Sequence, residues 1–116
     1  MTITVDAYSG TTSIGTSEFF LPNNSTTATA ITTPGMWQAF FDLSALADGD
    51  QLQFTVYETT VAGGVQVVYS QQVFTNQQTI PGDVHAPLIL GNGWNMSLKM
   101  LSATARSIPW RISSVT

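Results

Sequence analysis

Residues 51–75, QLQFTVYETTVAGGVQVVYSQQVFT, decide the fold class. Apolar and polar residues alternate through 51–60 and again through 65–75, and this period of two is typical of a half-buried β-strand. Between the two runs stands Val61-Ala62-Gly63-Gly64. Glycine there supplies the positive φ that a tight reversal requires. The stretch therefore predicts an antiparallel β-hairpin.

Short alternating runs recur on both sides of this hairpin, at 3–8, 14–21, 36–43, 87–90, 94–100 and 108–112. Asp48-Gly49 predicts a turn before the hairpin, and Pro81-Gly82 with Pro87 predicts a long connection between sheets over 76–87. Residues 26–33 fit either an edge strand or an ordered loop. We expect one all-β domain spanning 1–116, an antiparallel β-sandwich or a jelly-roll-like fold of about seven to nine short strands.

The chain is polar with very little charge. Only 9% of its residues are charged, against roughly 25% in ordinary soluble domains. Thr, Ser, Gln and Asn fill the polar positions instead, which indicates surfaces covered by neighbours or an extracellular life. The formal net charge is −4, and the only basic residues are Lys99, Arg106 and Arg111. This balance argues against nucleic acid as a partner.

No apolar run is long enough for a membrane-spanning helix, and the N-terminus has no signal-peptide pattern. We therefore expect a soluble protein that has no membrane partner. The absence of cysteine excludes disulfides and thiolate chemistry. Stability is expected to come from packing alone.

Chemistry-bearing residues are few. His85 is the single histidine, with Asp83 nearby, and neither a nucleophile elbow nor three or four metal ligands accompany it. Asp48-Gly49-Asp50 resembles part of a calcium loop, but no further acid follows until Glu58. We expect no catalytic residue, no metal and no cofactor, and we expect His85 to lie in a loop. The protein is predicted not to be an enzyme.

Glu58 is a candidate for a structural ion pair. It falls on the same strand face as the apolar residues Phe54 and Val56, and charges on a core face are usually paired. We expect Glu58 to pair with Arg106 or Arg111. Spacing gives no support to a glycosidase acid pair drawn from Glu18, Asp42 and Glu58.

Trp37, Trp94 and Trp110 allow two interpretations. Exposed tryptophans would stack on sugar rings, and the protein would then be a carbohydrate-binding module. Each of the three also lies in an alternating apolar run. We therefore expect all three in the core.

The strand edges offer a route to assembly. They are rich in Thr and Gln and almost free of Lys, the residue that usually blocks edge-to-edge pairing. The N-terminal segment 1–10, followed by small residues, is predicted to act as an interaction arm or strand that reaches a neighbour. Its expected interface residues are Thr2, Ile3, Thr4, Val5 and Tyr8.

Four motifs resemble the small β-rich structural proteins of tailed bacteriophages, some of which decorate or cement the head. They are FDLSALADGD at 41–50, FTVYE at 54–58, GWNMSLK at 93–99 and RSIPW at 106–110. The resemblance extends over 41–112. It implies a virion protein, assembled in the host cytoplasm, that binds the major capsid protein or other virion proteins and bridges capsid subunits. It also implies a homo-oligomer, by analogy a trimer at local threefold positions. A tail or neck component and the carbohydrate-binding module stay open as alternatives.

Overall fold

A computed structural model describes all of residues 1–116, which form nine strands in two antiparallel sheets and no helix. Sheet A contains β1 (Ile3–Ile14), β3 (Gly35–Asp42), β6 (Gly82–Val84), β7 (Leu88–Leu90) and β9 (Arg106–Val115). Sheet B contains β2 (Phe19–Phe20), β4 (Gln51–Glu58), β5 (Val67–Thr75) and β8 (Asn95–Met100). The expected all-β sandwich is confirmed.

Each sheet ends in one long edge strand. Sheet A has the order β1-β9-β3, and beyond β3 lie β7 at one end and β6 at the other. Sheet B has the order β2-β8-β4-β5. The predicted hairpin is β4–β5, with Gly63 at φ 77° in its turn. The chain crosses from sheet B to sheet A after β5 as expected, but the predicted connection over 76–87 also contains the short strand β6, which pairs with β3. One backbone edge of β1 and one of β5 therefore have no partner strand.

The first strand is longer than predicted. Two strands were expected, over 3–8 and 14–21, whereas β1 runs unbroken to Ile14 and only Phe19–Phe20 follow as a strand. The polar residues of 11–13 lie between the two predicted strands, but they pair with β9. Thr12 is opposite Ile108, and its hydroxyl accepts a hydrogen bond from Trp110 Nε1 at 3.1 Å. Residues 26–33 form an irregular segment with a single bridge from Ile31 to Trp94.

Aromatic side chains join the two sheets. Trp37 of sheet A meets Trp94, which directly precedes β8 of sheet B, at a ring-centroid distance of 4.6 Å. Phe41 of β3 meets Phe54 of β4 at 4.8 Å. Trp37, Trp94 and Trp110 are all buried, as expected from their alternating surroundings. These rings form the centre of a cluster of 19 buried apolar residues.

The part of the chain that contains Glu18 and Asn23 covers the outer face of sheet B over β8 and β4. The Glu18 carboxylate accepts hydrogen bonds from the Tyr57 hydroxyl at 2.5 Å and from the Ser97 hydroxyl. Asn95 Nδ2 donates to Asn23 Oδ1 at 2.7 Å. Burial, reinforced by the hydrogen bond to Glu18, raises the pKa of Tyr57 to about 12. Over β8 and β4, polar side chains on the outer face of sheet B therefore form hydrogen bonds with other side chains of the same molecule.

Truncation of Trp94 tests how much the protein depends on the aromatic contact between the sheets. We expect Trp94→Ala to lower the free energy of unfolding by about 3–5 kcal/mol, because it removes a fully buried ring and leaves a cavity. Urea unfolding followed by circular dichroism measures the change. Val65→Ala is the control, since the exposed Val65 side chain should change stability by less than about 0.5 kcal/mol. Equal losses in the two variants would contradict this account of the core.

Candidate functional site

The outer face of sheet A carries a row of apolar side chains that crosses four strands. Ile3 of β1 is opposite Val115 of β9, Val115 is opposite Met36 of β3, and Met36 is opposite Ile89 of β7. Directly opposed residues project from the same face of a sheet. Ile3, Met36 and Ile89 are exposed. We name these four residues the apolar row.

A recess of about 140 Å³ adjoins the apolar row. Its walls are formed by residues of β1, β3 and β9 together with Pro87, namely Ile3, Met36, Gln38, Pro87, Ser113, Ser114 and Val115. None of these residues carries a charge. The recess therefore extends the uncharged surface of the row.

The N-terminal segment is part of this surface but is not a detached arm. Thr2 exchanges two backbone hydrogen bonds with Thr116, at 2.8 and 2.9 Å. Thr2, Ile3, Thr4 and Val5 are exposed along the edge of sheet A. Tyr8 instead packs against Trp37 and Trp94, at centroid distances of 6.0 and 6.4 Å. The segment is therefore a strand of sheet A bound to β9, and the Tyr8 side chain belongs to the core side. Its contact with a neighbour through Thr2, Ile3, Thr4 and Val5 stays a prediction.

A bulge interrupts the pairing of β1 with β9. The register shifts between Thr4 and Tyr8, so that three residues of β1 face Ser113 alone. The Ser113 hydroxyl donates a hydrogen bond of 2.6 Å to the Val5 carbonyl. Bulges of this kind bend an edge strand locally. Regular pairing resumes from Tyr8 to Ile14, and this half of β1 has the straighter free edge.

A second, wider basin of about 400 Å³ lies on the same face, toward the other end of β1, β3 and β9. The Arg111 guanidinium lies over the Phe40 ring, 4.9 Å from its centroid. Asp6 and Asp42 also line the basin. The hydroxyl and the backbone N–H of Ser44 both donate to Asp42, which lowers the pKa of that carboxyl. This charged basin forms a polar border beside the apolar row, the arrangement found around the apolar centre of protein interfaces.

The predicted ion pair of Glu58 with Arg106 or Arg111 is wrong. Arg106 Nε binds Asp50 Oδ2 at 2.6 Å, and this is the salt bridge of the structure. Asp50 immediately precedes β4 and Glu58 ends it, so the two acids are separated by roughly 26 Å of extended chain. Glu58 instead accepts hydrogen bonds from the backbone N–H groups of Gly91 at 2.8 Å and Thr59 at 2.9 Å.

His85 has a neighbour that sequence reasoning missed. It lies in a loop, as predicted, and its Nε2 is 3.2 Å from the Ser70 hydroxyl of β5. Its Nδ1 is 2.8 Å from the Ala86 carbonyl oxygen, and its ring packs edge-on against Phe54. Ser70 is in the other sheet, so no local sequence signal joins the two residues.

The contact between His85 and Ser70 ties sheet A to sheet B. Asp83, two residues before His85, keeps one carboxylate oxygen buried without a hydrogen-bond partner, and burial raises the pKa of this carboxyl. Neither of the two cavities includes His85 or Ser70. We assign this pair a structural role at the open side of the sandwich.

No group of three or more His, Cys, Asp or Glu side chains is arranged to hold a metal ion. The structure also contains no helix that could serve as a membrane span. Comparison with known protein families and with curated proteins finds no match to this chain. Its function is therefore argued from the apolar row and the strand edges.

Replacement of Asp50 tests the ion pair that the structure reveals. The Arg106 side chain, followed by the Ala47 backbone N–H, lowers the pKa of Asp50 in the folded protein. Its contribution to stability is complete above the unfolded-state pKa of about 3.9 and is lost as the pH falls through the lower folded-state pKa. We expect Asp50→Asn to be less stable than the wild type at neutral pH and the difference to vanish in acid.

Urea unfolding of both proteins across this pH range measures the difference. Asp50→Asn in an Arg106→Gln background is the control. It should cost less there, because the guanidinium is already absent. A difference that stayed constant from neutral pH into acid would contradict the assignment.

Proposed function

We propose that this protein is a structural component of a bacteriophage virion, which decorates or cements the head by binding across neighbouring subunits of the major capsid protein. The observation that supports this most directly is the apolar row beside the free edge of β1. Both features belong to sheet A, whose outer face is not covered in the way that Glu18 and Asn23 cover that of sheet B.

Two kinds of contact are available on this surface. The free edge of β1 offers backbone donors and acceptors to an extended segment of a capsid subunit, and Asp6 is the only charged residue in that strand. The apolar row and its recess offer apolar area, which contributes about 25 cal/mol for each Å² removed from water. A small contact of this kind becomes effective on a shell, where many copies and many sites act together.

The alternatives differ in what they require. A tail or neck component would use the same surface, and only its position in the particle separates it from a head protein. A carbohydrate-binding module was expected to present at least one tryptophan to solvent, whereas all three are at most 5% exposed. The exposed tryptophan that this alternative requires is therefore missing, and the proposal stays with virion assembly.

Binding to virus particles tests this function. We expect the purified protein to sediment with heads of the phage that encodes it, prepared without it, and to raise the temperature at which those heads release DNA. Ile89→Glu should weaken binding at least about tenfold, because it places a charge where apolar area would be buried. The fold should be unaffected, since Ile89 is 78% exposed.

Ile80→Glu is the matched control. Ile80 is 79% exposed but lies outside the apolar row, in the connection between β5 and β6. It should bind like the wild type. Equal binding by Ile89→Glu would reject the apolar row as the interface, and failure of the wild type to bind any particle would reject the function. Binding to tails alone would move the protein to the tail.

A further inference from the structure

The longest uncharged part of the chain surrounds β5. Between Glu58 and Asp83 there is no charged residue. Seven of the fourteen exposed large hydrophobic side chains fall within this interval: Val61, Val65, Val67, Val68, Tyr69, Val73 and Ile80. Exposed apolar surface and lack of charge thus coincide on one strand and its flanks, and such patches mark interaction sites.

The free edge of β5 is open to another strand. β5 pairs only with β4, and the backbone groups from Val67 to Phe74 make no hydrogen bond outside that ladder. The strand contains no charge and no proline, the residues with which proteins normally block edge pairing. A register shift at Tyr69 is the one irregularity. The segment from Ser70 to Thr75 is therefore a regular, unprotected edge.

We infer that this edge pairs with the same edge of a second copy of the chain. The two β5 strands would lie antiparallel about a twofold axis and would join two four-stranded sheets into one sheet of eight strands. With the axis at Gln72, Val73 of one copy is opposite Gln71 of the other. Both residues project from the outer face of sheet B, since they pair with Gln53 and Thr55 of β4.

The lack of charge on β5 favours a second copy of the chain as the partner at this edge. In a twofold contact a residue on the axis meets its own counterpart and a residue next to the axis lies diagonally across from its counterpart, so a charged residue there would lie close to its like. The chain carries a net charge of −4, and two copies repel over most of their surface. β5 and its flanks contribute no charge to this repulsion. A basic or acidic partner would find no complementary charge there.

This contact does not depend on the proposed function. It uses the edge of sheet B and leaves the apolar row and the edge of β1 free. A dimer would present two copies of the apolar row at once, whether or not the surface they bind is a capsid. Self-association in solution and binding to particles are therefore separate measurements with separate variants.

Sedimentation equilibrium of the purified protein, from micromolar concentration to about 1 mM, tests the inference. We expect a reversible monomer–dimer equilibrium. Val73→Lys should weaken the dimer at least about tenfold, because it places two like charges within about 8 Å of each other across the axis. Added salt should recover part of that loss by screening the charges.

Thr11→Lys is the matched control, because it introduces the same charge at an exposed position of the other edge strand, β1. It should dimerise like the wild type. Hydrogen exchange gives a second measurement, in which β5 amides should be protected at high protein concentration and lose that protection on dilution. Circular dichroism confirms that each variant is folded.

A wild-type protein that is monomeric at about 1 mM would overturn the inference. A dimer that is weakened by Thr11→Lys and unaffected by Val73→Lys would also overturn it, since the contact would then use β1. An unaltered dimer together with failure to bind particles would reject the proposed function alone.

Discussion

The packing of aromatic rings between the two sheets is the interaction on which the remaining structure depends. Trp37 against Trp94 and Phe41 against Phe54 hold sheet A and sheet B together at two points along β3. The other buried apolar side chains and the contact of His85 with Ser70 add to this packing, and no disulfide is present. Because strand side chains alternate between faces, placing these rings inside also determines which residues of each strand face outward.

The outer faces of the two sheets differ in whether the chain itself covers them. Sheet B has a polar outer face whose hydroxyl and amide groups are satisfied internally by Glu18, Asn23 and the segment around them. Sheet A has no such cover, and its alternate positions carry the apolar row and the basin around Arg111. Scarcity of charge has little effect where the chain covers its own sheet. It leaves the outer face of sheet A and the free edges of β1 and β5 open to other chains. The proposal for virion assembly rests on the uncovered face of sheet A, and the proposal for twofold pairing rests on the free edge of β5.

The alternation of apolar and polar residues correctly predicted the elements that depend only on residues close together in the sequence. The hairpin needed only two alternating runs and a glycine turn, and burial of the tryptophans followed from apolar neighbours two residues away. The continuous β1 was missed because its polar residues satisfy their hydrogen bonds on β9, about a hundred residues later in the chain. The Arg106 pairing was misassigned for a related reason. The apolar residues on one face of β4 indicated that the Glu58 carboxylate needed a partner. They did not indicate which end of β4 the Arg106 side chain approaches.

The sequence by itself determined a sparsely charged, all-β chain with aromatic residues in its core, since period and composition are properties of each segment alone. Only the tertiary structure decided which strands became edges, which apolar residues lined up as Ile3, Val115, Met36 and Ile89, and that His85 meets Ser70. Those outcomes depend on strand order and register. Both are set when distant segments pack together to bury one common set of side chains.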